Sequence, residues 1–142
     1  MAPPVVREKS LLDRLRDPDS DRARSVEPSP ARLAESVLAN LRRLLNSRHG
    51  IAPAQAEYGI PDLSDLVHSF PEANSKLRAA VKAAIEKYEP RLRRVAVRQA
   101  NDPDDILSLR LEVTAELVSD GPRTPLWFET RIDASGEVRL KT

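Results

Sequence analysis

Three glutamates are the residues whose surroundings best suit acid-base chemistry: Glu57, Glu72 and Glu89 each stand beside apolar or proline-rich sequence. A glycan hydrolase needs one carboxyl kept protonated in a partly apolar pocket and a second kept ionised. The chain holds 22 acidic residues, so some carboxylates fall near apolar sequence by chance, and spacing alone does not pair any two of them. The two histidines, His49 and His68, do not form a His-x-x-x-His pair, which removes a zincin site. His49 sits where a helix would end, a position that favours a cation for structural reasons. There is no Gly-x-Ser-x-Gly elbow, and with four glycines no glycine loop to cradle a phosphate. The absence of cysteine excludes disulfides, thiolate zinc sites and a cysteine nucleophile. No metal site, no cofactor and no catalytic residue is therefore expected.

The junction Tyr88-Glu89-Pro90-Arg91-Leu92 is more informative. Glu89 falls at the end of a helical pattern, where the macrodipole disfavours an anion by ~0.3–1 kcal/mol. A carboxylate there wants a cationic partner. Pro90 fixes its own backbone and pushes Glu89 out of the helical region. In extended chain, residues two apart share a side, so Glu89 and Arg91 are expected to project together. Two readings stand. The pair is a helix stop closed by an intramolecular ion pair, or it is a charged contact to another chain. On the second reading, Glu89→Ala or Arg91→Ala leaves the monomer folded and stops assembly.

The elements that position this junction follow from periodicity. Residues 1–29 hold Pro3, Pro4, Pro18 and Pro28, with charges of both signs from Asp13 to Arg24. They are expected to be a flexible N-terminal segment. Inside it, Leu11, Leu12 and Leu15 fall on one face of a helical turn at 10–15 and must dock on the chain's own domain or on a partner. Ser29-Pro30 opens a helix over about 30–48, with Ser29 as cap and a stripe of Leu33, Val37, Leu41, Leu44 and Leu45. Gly50 is its expected stop. A short helical turn is expected at 62–69 and a second long helix at 74–88, capped by Asn74 and ended by Pro90.

Then the period changes. Val95 and Val97 alternate with polar neighbours. Leu107, Leu109, Leu111, Val113, Ala115 and Leu117 alternate over an unusually long half-buried strand. Leu126, Phe128, Thr130 and Ile132 form another, with Trp127 on its opposite face, and a last strand lies around Val138 and Leu140. Helices followed by strands indicate one α+β domain over 30–142: two long helices and a short one on a small, mostly antiparallel sheet.

Charge and composition narrow the function classes. The net charge is +1 and aromatic content is 4%. Neither a concentrated basic face nor a base-stacking platform is indicated, so no nucleic-acid partner is expected. Arginine outnumbers lysine 18 to 5, which suits protein interfaces or reflects codon bias. Nothing approaches the ~18 apolar residues of a membrane span, so direct membrane insertion is not expected.

Several segments resemble the TssE family, the type VI secretion baseplate subunits within the phage baseplate-wedge group labelled "lysozyme-like". Ser10-Leu11-Leu12-Asp13-Arg14-Leu15 is similar to the family's serine-dileucine element. Leu44-Leu45-Asn46-Ser47-Arg48 is similar to its first-helix ending, with serine in place of the commoner threonine. Tyr58-Gly59-Ile60-Pro61-Asp62-Leu63 resembles its Tyr-Gly-Leu-Pro-Asp-Leu loop, departing at Ile60. Glu89-Pro90-Arg91 matches its Glu-Pro-Arg motif, and Phe128-Glu129-Thr130-Arg131-Ile132-Asp133 with Ser135-Gly136 resembles its C-terminal strands. The resemblance spans about residues 10–140.

It implies a non-enzymatic structural subunit, cytoplasmic, at the baseplate on the inner face of the inner membrane. Its implied partners are the wedge subunits TssF and TssG and the sheath proteins TssB and TssC, the sheath being templated by strand addition. Glu89, Pro90, Arg91, Leu11, Leu12 and Leu15 are the implied protein-interface residues. A peptidoglycan hydrolase or a phage-tail baseplate homologue is the alternative.

Overall fold

The computed structural model describes residues 11–16, 29–48, 50, 53–61, 72–100, 103–104, 108–133 and 135–142. Its elements are α1 (Leu11–Arg16), α2 (Pro30–Asn46), α3 (Glu72–Tyr88), β1 (Leu92–Ala100), β2 (Leu109–Leu117), β3 (Thr124–Ile132) and β4 (Val138–Lys141). The fold is α+β. The four strands form one sheet in the order β1-β2-β3-β4, and every neighbouring pair is antiparallel.

Helix α2 forms where the leucine stripe places it. Leu33, Val37, Leu41, Leu44 and Leu45 are all buried, and Pro30 occupies the first turn. Ser29 is in the N-cap position with extended backbone, yet its side chain makes no capping hydrogen bond; its carbonyl accepts the Leu33 N–H at 3.0 Å. The helix stops at Asn46, two residues before the expected 48. Ser47 turns extended (φ −86°, ψ 143°), which frees its carbonyl for Ile60. Gly50 lies beyond the helix with φ 83°. Helix α3 starts at Glu72 rather than Asn74; an acid in the first turn suits the helix N-terminus. It buries Leu77, Val81, Ala84 and Ile85. The turn expected at 62–69 lies outside the described residues, as do His49, His68 and Leu107.

The strands alternate as the sequence indicates. Leu111, Val113, Ala115 and Leu117 face inward with Leu126, Phe128 and Ile132, forming one core with the helix stripes. The register pairs Val113 with Phe128 and Leu111 with Thr130. Strand β1 carries an irregularity between Arg93 and Ala96, where Arg94 takes φ 53°. This extra residue lets Leu92 and Val95 both reach the core although they are three apart. Helix α3 packs against β1, and α2 against β4 and β2.

Candidate functional site

The junction after α3 is built by Pro90. The Glu89 N–H still donates to the Ile85 carbonyl at 2.9 Å, so the helical ladder runs one residue past Tyr88. There the proline ends it. Leu92 N–H donates to the Glu89 carbonyl at 3.2 Å, and Val118 N–H donates to the Arg91 carbonyl at 2.9 Å, opening the β1–β2 ladder. The turn therefore swings Arg91 back over Glu89.

Glu89 is completely buried. Arg91 Nε donates to its Oε1 at 2.7 Å and Arg91 Nη2 to its Oε2 at 2.8 Å. This two-pronged contact matches the planar fork of guanidinium to carboxylate. The Arg91 backbone N–H donates to Oε1 at 3.3 Å, and Asn40 Nδ2 donates to Oε2 at 2.8 Å. Arg91 Nη1 donates in turn to Ser36 Oγ at 2.9 Å. Ser36 and Asn40 are one helical turn apart on α2, so the pair bolts α2 to the α3–β1 junction. Pro90 between them is exposed. The intramolecular ion pair is thus present. With the pair buried, replacing either member carries a stability cost, whatever else the junction contacts.

A second cluster gathers around the end of α2. Ile60 N–H donates to the Ser47 carbonyl at 3.0 Å, and Arg48 bridges Ile60 in a parallel pair. Gly59 makes this approach feasible: its φ is 105°, and a Cβ there would meet the Ser47 carbonyl oxygen at 2.3 Å. Tyr58 meets Tyr88 edge-on, with ring centroids 5.1 Å apart. Burial pushes the Tyr58 hydroxyl pKa up, with Arg43 opposing the shift and the charges of Glu89 and Tyr88 adding to it. Glu57 is exposed and ion-paired with Lys87, whose pKa this hydrogen bond raises.

Asn46 closes the far side. Its Nδ2 donates to the Val138 carbonyl at 2.9 Å, and its Oδ1 accepts the Val138 N–H at 2.9 Å. The carboxamide thus stands where the backbone of another strand would stand at the outer edge of β4. Arg48 donates to the Gly136 carbonyl, and Asp133 Oδ1 accepts the Ser135 and Glu137 N–H groups. Four of the segments singled out in the sequence therefore meet around the lower end of α2: 44–48, 58–61, 88–92 and 133–136.

Of the carboxylates considered for acid-base chemistry, Glu89 has both oxygens occupied by donors and no solvent access. Glu57 lies on the surface, and the side chain of Glu72 lies outside the described residues. Among the described residues no group of His, Cys, Asp and Glu could hold a metal ion. Sequence reasoning missed Ser36, Asn40 and Asn46. Asn40 had a readable signal: it stands beside the apolar stripe, three residues after Val37 and four before Leu44, where a half-buried amide must find a partner.

The turn expected at 10–15 is helix α1, and Leu12 and Leu15 are 64% and 71% exposed. The side chain of Leu11 lies outside the described residues.

The sequence pattern of the family described as baseplate wedge protein gp25 matches residues 31–121. A chain of the baseplate complex from the type VI secretion system has the same fold, with a TM-score of 0.57 and 22% identity, over 73% of this chain and 97% of that one. A crystal structure from Geobacter sulfurreducens with the provisional description "tail lysozyme" matches with a TM-score of 0.55 and 20% identity, over 74% of this chain and 94% of that one. At these identities the likeness is one of fold. No curated protein sequence matches the chain.

Proposed function

The chain belongs to the baseplate wedge protein gp25 family, and we propose that it serves as the TssE-type wedge subunit of a type VI secretion baseplate. Its role is structural. The family match over residues 31–121 carries this reading. The shared fold with a chain of the type VI baseplate complex supports it. In this reading the partners are the wedge subunits TssF and TssG, with the sheath proteins TssB and TssC assembling above, and the protein works at the cytoplasmic face of the inner membrane. No helix among the described residues is long and apolar enough to cross a membrane.

Three surfaces serve the contacts. Leu12 and Leu15 on α1 offer an apolar turn that a wedge partner covers, together with Leu11 from the same motif. The Glu89-Pro90-Arg91 junction presents its exposed proline and the rim of Arg91, held rigid by the buried carboxylate. Strand addition uses a sheet edge. The β4 edge is occupied at Val138 by Asn46, which favours the nine-residue β1 as the acceptor. The protein is not an enzyme in this reading: Glu89, the buried candidate acid among the described residues, is spent on the ion pair.

Co-expression with TssF and TssG tests the assignment. The tagged chain is expected to co-purify with both, and a Leu12→Ser/Leu15→Ser variant to co-purify poorly at unchanged thermal stability. Recovery of the tagged chain free of both partners contradicts the assignment. Cleavage of isolated peptidoglycan by the unaltered chain would favour the hydrolase instead.

A further inference from the structure

The sheet has two ends. Among the described residues β1 pairs only with β2, and β4 only with β3. An unpaired edge is a template for a strand of another chain.

At the β4 end the hydrogen bonds close that template. Ile132 faces Val138, and the Asp133 N–H donates to the Glu137 carbonyl at 3.2 Å. This pattern turns the Val138 N–H and carbonyl away from β3. Leu140, two residues on, shares that orientation, while Arg139 and Lys141 turn toward β3. Asn46 takes the first outward position. Its Oδ1 accepts the Val138 N–H and its Nδ2 donates to the Val138 carbonyl, both at 2.9 Å. Nδ2 also donates to the Arg42 carbonyl at 2.9 Å, which ties the carboxamide to its own helix and fixes the way it faces. Arg48 donates to the Gly136 carbonyl, so residues 46 and 48 meet 138 and 136 in opposite chain directions, as a short substitute strand. The far side of that strand is closed too: the Ser47 carbonyl accepts the Ile60 N–H at 3.0 Å, and Ile60 is fully buried.

No such device closes β1 among the described residues. Its nine residues lie at the other end of the sheet. A sheet open at both ends adds copies head to tail, β1 of one against β4 of the next, and such a contact does not close on itself but grows into fibres. Pairing β4 with β4 along its length is the poorer fit, because it sets Arg139 opposite its own copy. On the same face β1 carries Arg98 between Ala96 and Ala100, which leaves alanine to face Arg139.

We propose that Asn46, with Arg48, is an edge stop: it stands in the place of an incoming strand at β4 and so keeps a second copy of this chain from extending the sheet through its β1 edge. The stop belongs to the chain alone and holds whether or not the type VI reading does.

Sedimentation velocity of the full chain over a concentration series tests it. The unaltered chain is expected to remain a monomer, and Asn46→Ala to show an average mass that climbs with concentration past that of a dimer. Adding Leu140→Pro removes the other outward N–H of β4 and spares the β3 ladder, so it should return Asn46→Ala to a monomer. Arg91→Ala loses more stability without touching β4 and should stay monomeric, which separates edge pairing from aggregation of a weakened fold. A monomeric Asn46→Ala, growth that halts at a dimer, growth that survives Leu140→Pro, or equal self-association by Arg91→Ala or by the unaltered chain overturns the proposal.

Discussion

Arg91→Ala removes the cation from a carboxylate with no access to solvent. Glu89 then keeps one side-chain donor, Asn40 Nδ2 at 2.8 Å, and loses the guanidinium contacts at 2.7 and 2.8 Å. Breaking a buried pair from one side costs about 3–5 kcal/mol. Ser36 Oγ loses its 2.9 Å donor as well, worth about 1 kcal/mol. A total of about 4–6 kcal/mol is a large share of the ~5–15 kcal/mol that holds a domain folded. At about 2–4 °C per kcal/mol for a chain of this size, the melting temperature should drop by ~8–24 °C. Urea titration followed by circular dichroism measures the loss directly. Glu89→Ala/Arg91→Ala should cost less than the sum of the single variants, because it leaves no uncompensated charge inside. A loss below ~1 kcal/mol for Arg91→Ala, or strict additivity in the cycle, would refute the claim that the pair fastens α2 to the α3–β1 junction.

Other residues give sharper local outcomes. Gly59→Ala should destabilise by at least ~2 kcal/mol in the same urea assay, since its Cβ meets backbone at Ser47; a neutral result would mean the 58–61 loop docks differently. Asn46→Ala should cost about 1–2 kcal/mol and speed amide exchange at Val138, and unchanged exchange there would dissociate Asn46 from the β4 edge. Tyr58 has its pKa raised, chiefly by burial. A raised folded-state value means the stability it contributes is complete below about pH 10 and is lost as pH rises through the folded value. An absorbance titration should therefore show a tyrosine ionising late, and Tyr58→Phe should remove that late phase; its persistence in the variant would assign it elsewhere.

The helices and strands were legible because each had to bury one face. Leu33, Val37, Leu41, Leu44 and Leu45 repeat at the helical period, and Leu111 to Leu117 at the strand period, so sequence and burial agree residue by residue. The bounds were less legible where tertiary contacts override local signals. α2 stops at Asn46 because Ser47 serves Ile60, a partner in another segment. The same-side placement of Glu89 and Arg91 followed from Pro90. What that pair fastens did not, since Ser36 and Asn40 come from α2, 55 and 49 residues away in sequence. Asn46 is the extreme case: a polar residue closing a helix reads locally as a cap, while its partner Val138 is 92 residues on. The irregularity at Arg94 was not legible either: the extra residue that lets both Leu92 and Val95 reach the core shows only against the register of β2.

The wedge assignment meets its most direct test in cells that carry a fluorescently labelled sheath protein. Removing this chain should abolish extended sheaths, and restoring it from a plasmid should bring them back. Sheaths that assemble at normal number and length without the chain would contradict its role as a baseplate wedge subunit.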